Sequence, residues 1–159
     1  MRLEPFAKDD RALYEALVFN EEAMRQNYGR TFTKAEAELL FSAMLEANAE
    51  DSVTGFYKVF VPAAHGETYI GMGALNPNDG VFEIEYMLLP QYWNRGYGTA
   101  LVETLLSMAK ASGLCRTVEA ITDPDNLYSK RILVHAGFAL VKQFVNDDGE
   151  PAQLYRKEL

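Results

Sequence analysis

The chain has 159 residues, of which 48% are hydrophobic and 24% charged, and this length and composition are typical of one globular domain spanning residues 1–159. Its formal net charge of -8 disfavours a general affinity for nucleic acid, and no apolar run approaches the roughly 20 residues that cross a membrane. The single cysteine, Cys115, excludes an internal disulfide, and the N-terminus lacks the apolar core of a secretory signal, so we expect a cytoplasmic protein.

The first third of the chain predicts one short strand followed by helices. The acidic pair at positions 9 and 10 is a typical cap for a first helix, whereas residues 20–30 are polar and are expected to be irregular. Thr33 and Glu36 have the spacing of a capping box, which predicts a helix over residues 34–49. The expected inward face of this helix consists of Ala37, Leu40, Phe41, Met44 and Leu45.

Three β-rich runs follow and predict an antiparallel meander. Residues 54–61 and 68–75 indicate a hairpin with a long loop, and a turn at residues 76–80 leads into a third strand. His65 lies in the loop of the hairpin. A lone loop histidine is more often solvated than catalytic, and no partner at a metal-ligand spacing accompanies it, so no metal site is expected.

The third strand runs through a glycine pair into a helix. Period-two alternation places Phe82, Ile84, Tyr86 and Leu88 on one face and Glu83, Glu85, Met87 and Leu89 on the other. After the loop of residues 91–95, Gly96 and Gly98 precede a helix that is expected to begin near Ala100. The first amides of a helix have no internal partner and attract anions, although a plain turn is also typical of this pattern. The P-loop motif is absent, and Leu101 stands where a dinucleotide motif needs glycine.

The last third predicts a crossover and a closing hairpin. Residues 117–122 form a strand parallel to its predecessor, and Asn126 caps a helix that ends before Gly137. Residues 138–145 and 153–157 form the last strands. The whole pattern predicts an α+β fold, with a mixed and mostly antiparallel sheet of about seven strands and helices on both faces.

Two segments carry a family resemblance. Residues 93–98, Trp-Asn-Arg-Gly-Tyr-Gly, resemble the acyl-CoA-binding motif of the GNAT N-acetyltransferase superfamily, which reads Arg/Gln-x-x-Gly-x-Gly/Ala. Trp93 departs from the first position, but an aromatic residue there is usual in the RimJ/RimL branch of ribosomal-protein N-terminal acetyltransferases. Asn126-x-x-Ser129, followed by Gly137-Phe138, resembles the second conserved helix of the same branch.

The resemblance implies a three-layer α/β/α fold with acetyl-CoA in a cleft between splayed central strands. Amides at the start of the helix would hold the pyrophosphate, the third strand would pair with the pantetheine arm, and an amide near Tyr86 would polarise the thioester carbonyl. The cofactor-binding residues so implied are Tyr86, Met87, Leu88, Asn94, Arg95, Gly96, Tyr97, Gly98, Thr99, Asn126, Ser129 and Lys130.

Acetyl transfer to an amine requires a base, because amines are mostly protonated at neutral pH. Glu83 and Glu85 are the candidates, with Glu83 favoured by the resemblance and a solvated strand edge as the alternative. The leaving thiolate needs a hydrogen-bond donor, yet Leu133 occupies the position of the family's tyrosine. Ser129 is the first substitute and Tyr128 the second.

The acceptor is expected to be an amine, either a peptide N-terminus or a small molecule. The resemblance implies that the early helices and their loop shape the acceptor site, with Tyr28 and Arg30 as candidates. Two alternatives remain open at this point: a non-catalytic sensor of acyl-CoA, and an unrelated α+β interaction domain with no CoA affinity. The protein is expected to be a monomer or a homodimer.

Overall fold

A computed structural model of the chain describes residues 1–49 and 53–159. Within these residues the strands are β1 Arg2–Pro5, β2 Gly55–Ala63, β3 Gly66–Asn78, β4 Val81–Leu88, β5 Thr117–Thr122, β6 Ala139–Val145 and β7 Pro151–Glu158. The α-helices are α1 Arg11–Val18, α2 Glu21–Tyr28, α3 Lys34–Ala47, α4 Tyr97–Ser112 and α5 Leu127–His135. No helix in the described ranges is both long enough and apolar enough to cross a membrane.

The strands form one mixed sheet in the order β1-β2-β3-β4-β5-β7-β6. Neighbouring strands are antiparallel except for β4 and β5, which are parallel because α4 crosses between them. The predicted meander, the crossover and the closing hairpin are therefore confirmed, as is the α+β class.

The two faces of the sheet carry separate cores. On one face, Leu101 and Leu105 of α4 and Leu133 of α5 are fully buried against Ile84 of β4. On the other face, helices α1 to α3 bury Leu17, Met24 and Phe41 against Met72 and Met87. Strand β4 supplies both cores, because successive side chains point to opposite faces.

Two segments of the first half differ from the sequence predictions. Residues 20–30, expected to be irregular, contain helix α2, whose first turn is capped by Asn20: its side-chain oxygen accepts a hydrogen bond from the Ala23 amide at 3.0 Å. Only Ala23 and Met24 of this helix are buried, so its apolar periodicity is too sparse to detect from sequence. The capping box of α3 is confirmed, but Leu40, expected inward, is 41% exposed.

The hairpin of β2 and β3 is also tighter than predicted. Ala63 pairs with Gly66, so the connection is the two residues Ala64 and His65 and the predicted long loop is wrong. Pro62 pairs in register with Glu67, although proline usually ends a strand. His65 lies exposed at the tip of this hairpin.

Candidate cofactor cleft and acceptor face

The cleft begins where β4 and β5 separate. The two strands pair only at Phe82 with Val118 and at Glu83 with Glu119, among the residues that the structure describes. Beyond this point β4 continues to Leu88 along β3, while β5 stays paired with β7. The sheet is therefore open beside the second half of β4.

A cavity of about 390 Å³ occupies the opening, and we call it the cleft. It is bounded by the end of β4, the loop before α4, and parts of α2, α4 and α5. Its lining consists of Gln26, Asn27, Tyr86, Met87, Leu88, Tyr92, Trp93, Asn94, Gly96, Gly98, Thr99, Asn126, Tyr128, Ser129, Arg131 and Ile132. Arg131 is the only charged side chain in this set, so the cleft suits an anionic ligand although the whole chain is acidic.

The N-terminus of α4 opens into the cleft without a side-chain cap. The helix begins at Tyr97, three residues earlier than predicted, and Gly96 occupies the cap position with φ of 80°. No described side chain caps this end, and a Cβ added at Gly96 would meet nothing within 4 Å. The amides of the first turn are thus available at the positive end of the helix dipole, where a phosphate binds favourably.

Trp93 anchors the loop that leads to this helix. Its indole Nε1 donates a hydrogen bond to the Leu88 carbonyl at 2.8 Å, which ties the loop to the end of β4. Asn94 follows with φ of 57°, and the exposed Arg95 places its guanidinium 6.0 Å from the centre of the Tyr92 ring. The residue that departs from the family motif therefore shapes the loop by a contact that arginine or glutamine would make differently.

Gly98 allows α4 and α5 to approach each other. A Cβ at this position would lie 2.7 Å from Cδ1 of Ile132 in α5. Gly96 and Gly98 thus serve two different purposes, since Gly96 provides a left-handed backbone and Gly98 provides close helix packing.

Asn126 joins the two sides of the cleft. Its Oδ1 accepts a hydrogen bond from the Ser129 amide at 3.0 Å, which caps α5 as predicted. Its Nδ2 donates to the carbonyl of Gln26 in α2, also at 3.0 Å. The side chain is buried, so both bonds are shielded from water. This single residue holds the first turn of α5 against a helix of the opposite face.

Tyr86 and Ser129 meet across the cleft. The Tyr86 hydroxyl lies 2.8 Å from the Ser129 hydroxyl oxygen, and both residues line the cavity. Burial raises the pKa of Tyr86 to about 12, although the contact with Ser129 works in the opposite direction. Leu133, at the position of the family's tyrosine, is fully buried in the core and has no access to the cleft.

Glu83 and Glu85 lie on the other side of β4, on the sheet face covered by α1 to α3, which we call the candidate acceptor face. Each carboxylate accepts one hydrogen bond of 3.0 Å from an asparagine of β3, Glu83 from Asn78 and Glu85 from Asn76. Burial is the main cause that raises the pKa of each group. The charge of Glu83 raises the pKa of Glu85 further, and Glu119 does the same for Glu83.

The two predicted acceptor residues occupy different surroundings. Tyr28, at the end of α2, is half exposed as a whole residue, but its hydroxyl faces inward to Glu85. The burial of this hydroxyl, together with the charge of that carboxylate, raises the pKa of Tyr28. Arg30 instead points away and binds both oxygens of Glu36 at 3.0 and 2.7 Å. The structure therefore brings Tyr28 to the carboxylate pair, and Arg30 to the capping box of α3.

Most of the cofactor-binding residues predicted from the motifs come together in the cleft, as does Tyr128. Arg95, Tyr97 and Lys130 do not line it, and Lys130 donates to the Pro124 carbonyl at 3.0 Å. Gln26 and Asn27 also line the cleft but were not predicted, because the sparse apolar periodicity of α2 does not indicate a helix. Arg131 was not predicted either, since only the rotational position of each residue on α5 distinguishes Arg131 from Lys130.

Comparisons with known proteins agree with this architecture. A sequence profile described as "Acetyltransferase (GNAT) domain" matches residues 1–139. Over 86 residues, 52% of this chain, the sequence is 30% identical to the uncharacterized N-acetyltransferase YoaA of Bacillus subtilis (strain 168). The match covers 48% of that protein, so it spans about half the length of this relative.

Two solved structures illustrate the similarity of fold. RimL, a ribosomal L7/L12 alpha-N-protein acetyltransferase in complex with coenzyme A, has a TM-score of 0.79 at 15% identity, over 99% of this chain and 93% of that one. Spermidine N-acetyltransferase from Vibrio cholerae, in complex with CoA and spermine, has a TM-score of 0.75 at 15% identity, over 99% and 94%. At such identities the likeness shows the fold alone. Because the family profile covers most of the sequence, the chain belongs to the GNAT acetyltransferase family, whose cosubstrate is acetyl-CoA.

Proposed function

We propose that this chain is an acetyl-CoA-dependent N-acetyltransferase that acetylates a primary amine and acts in the cytoplasm. The observation that carries the proposal is the opening between β4 and β5 beyond the Glu83–Glu119 pair. It connects a cleft suited to an anion with the sheet face that carries two carboxylates. A donor and an acceptor can therefore approach the same strand from opposite sides.

The donor side is assigned from the free groups of the cleft. The amides of residues 96–99 would hold the diphosphate, and Arg131 would add a positive charge beside them. The backbone of Tyr86 and Leu88 would pair with the amides of the pantetheine arm, as an added strand does, because the register with β3 directs the backbone groups of Met87 at Met72. When bound, acetyl-CoA supplies a thioester whose carbonyl carbon accepts the amine and whose sulfur leaves as a thiolate.

The acceptor side requires a base that is free to take a proton near neutral pH. Glu85 now fits this role better than Glu83, because it is the more deeply desolvated of the pair and lies beside Tyr28. A raised pKa makes a carboxylate a stronger base, and a second carboxylate nearby attracts the protonated amine. We assign proton removal to Glu85 and attraction of the ammonium group to Glu83.

The chemical class of the acceptor rests on the branch motifs and on the fold neighbours. Trp93 and the pair Asn126 and Ser129 match the branch whose members act on protein N-termini, and RimL is by name an alpha-N-protein acetyltransferase. The spermidine enzyme shows that the same fold also serves small amines. We propose a peptide N-terminus as the first acceptor to test and small polyamines as the second.

Thermal shift with acetyl-CoA, followed by release of CoA thiol in the presence of an amine panel, tests the proposal. The panel contains peptides with free N-termini, the same peptides with blocked N-termini, and polyamines. Stabilisation by acetyl-CoA together with thiol release that needs a free amine is expected. Tight binding with no release across the panel would instead identify a sensor of acyl-CoA, and the absence of binding would reject both.

A further inference from the structure

The contact between Tyr86 and Ser129 joins two hydroxyls, either of which can donate over the 2.8 Å separation. A phenol is more acidic than an aliphatic hydroxyl and is therefore the better donor, so we take Tyr86 as the donor and the Ser129 oxygen as the acceptor. The only other acceptor near the Tyr86 hydroxyl, among the described residues, is the Ser129 carbonyl at 3.5 Å. This longer contact is weak. Since its pKa is raised to about 12, Tyr86 stays protonated and remains a donor over the working pH range.

The direction of this bond leaves the hydrogen of Ser129 free. A serine hydroxyl has one hydrogen and two lone pairs, and here one lone pair receives the Tyr86 hydrogen. The Ser129 amide is already bound to Asn126, which fixes the first turn of α5. The remaining hydrogen must therefore point away from Tyr86, and Ser129 lines the cleft.

We propose that Tyr86 is a positioning residue, which accepts no proton itself but turns the Ser129 hydroxyl towards the sulfur of CoA. The inference rests on the proposed function. In the transfer, a C–N bond forms and the C–S bond breaks, the electron pair of that bond goes to sulfur, and the proton of the amine goes to the carboxylate of Glu85. The Ser129 hydroxyl donates a hydrogen bond to the thiolate as its charge develops. Ser129 thereby supplies the hydrogen-bond donor that the family's tyrosine provides and that Leu133, at the corresponding position, does not.

A double-mutant cycle tests whether Tyr86 acts through Ser129. We expect Tyr86→Phe to lower kcat roughly tenfold, because the Ser129 hydroxyl loses the partner that turns it towards the charged sulfur, and to leave the Kd of acetyl-CoA unchanged. We expect Ser129→Ala to lower kcat at least as much and to make the second substitution silent. Tyr57→Phe is the matched control, because it removes a tyrosine hydroxyl that donates to the Val53 carbonyl outside the cleft. Additive effects of the two cleft substitutions on kcat would overturn the proposal.

The pKa of the thiol of bound CoA provides a second readout, independent of turnover. It is measured from the ultraviolet absorbance of the thiolate as the complex is titrated. The wild-type complex is expected to have a lower thiol pKa than the Tyr86→Phe and Ser129→Ala complexes, with Tyr57→Phe equal to wild type. Equal values in all four complexes would overturn the inference. A lowered thiol pKa without amine turnover would retain the inference and reject the proposed acetyl transfer.

Discussion

Glu85 is the residue whose surroundings bear most directly on the proposed proton transfer. Its carboxylate is held between Asn76 and the Tyr28 hydroxyl while burial disfavours its charge. Such a group titrates above the usual range of glutamate, and it is able to accept a proton only after it has lost its own. The rate of acetylation should therefore fall on acidification at a pH above that of an ordinary carboxylate.

Glu85→Gln tests this role in catalysis. We expect the substitution to lower kcat by roughly a hundredfold or more, since removal of a general base typically costs this much, and to abolish the acidic limb of the pH profile. The acetyl-CoA thermal shift should be unchanged, because Glu85 does not line the cleft. If the acidic limb survives in Glu85→Gln and disappears in Glu83→Gln, the base is Glu83.

The same substitution has an opposite effect on stability. The folded-state pKa of Glu85 is raised above its unfolded value, so its contribution to stability is full below the unfolded pKa and is lost as pH rises through the folded pKa. Above its unfolded pKa, the wild-type carboxyl must on folding either bury its charge or take up a proton, whereas Gln does neither. The Tm of Glu85→Gln should therefore exceed that of wild type at pH 7, and the difference should vanish towards about pH 4.

Glu103→Gln controls for the loss of one negative charge, because Glu103 is exposed on α4. It should leave the Tm close to that of wild type. A lower Tm for Glu85→Gln at pH 7 would show that the buried carboxylate stabilises the fold and would contradict the desolvation argument.

At the scale of elements, helix α4 has a glycine with a left-handed backbone conformation at each end. Substitutions at the two ends can therefore distinguish an effect on stability from an effect on acetyl-CoA binding. Gly96 has φ of 80° and Gly113 has φ of 65°, and an added Cβ has open space at both. Alanine at either position should cost about 1 kcal/mol of stability, because an L-residue is strained in this region. Gly96→Ala alone should also reduce the acetyl-CoA thermal shift, since the strained loop carries the amides of the first turn.

Gly113→Ala is thus the matched control, measured by the same thermal shift. It lies at the far end of the helix and should keep the full response to acetyl-CoA. Equal loss of the response in both variants would mean that general destabilisation, and not the N-terminal amides, accounts for the effect.

The contact between α5 and α2 depends on both the oxygen and the nitrogen of the Asn126 side-chain amide. Asn126→Ser keeps a good helix cap but removes the donor to the Gln26 carbonyl, which should cost about 0.5–1.5 kcal/mol, the net value of one hydrogen bond, because Gln26 is only partly buried. Asn126→Ala should lose roughly 0.5–2 kcal/mol more, because the cap is also removed. The two variants are compared by urea unfolding. Equal stability of Asn126→Ser and wild type would show that the bridge to α2 contributes nothing.

The elements themselves show what a single sequence can predict. The bounds of β5, the capping box of α3 and the glycine-led start of α4 follow from local patterns, since alternation, caps and glycines act over a few residues. Helix α2 did not follow, because its two buried residues give little periodicity and Asn20 caps it without a box. The Tyr86–Ser129 contact joins residues 43 apart, and only the packing of α5 across β4 brings them together.

At the scale of the whole molecule, the two faces of the sheet differ in the charge of the side chains that they carry. The chain carries a net charge of -8, yet among the described residues Arg131 is the single charged side chain that lines the cleft. The carboxylates lie on the opposite face. An acidic protein attracts cationic amines at long range, while an uncapped helix N-terminus such as that of α4 attracts anions locally. In the proposed function, the two ligands meet at the opening in the sheet.

The central claim is that the diphosphate of CoA sits on the first turn of α4 and that its sulfur lies beside β4. A crystal structure of the complex with CoA measures this directly. The account predicts diphosphate oxygens within hydrogen-bond distance of the amides of residues 96–99 and the sulfur next to the Ser129 hydroxyl. A complex in which CoA lies outside the cleft, or in which these amides bind no phosphate oxygen, would contradict it.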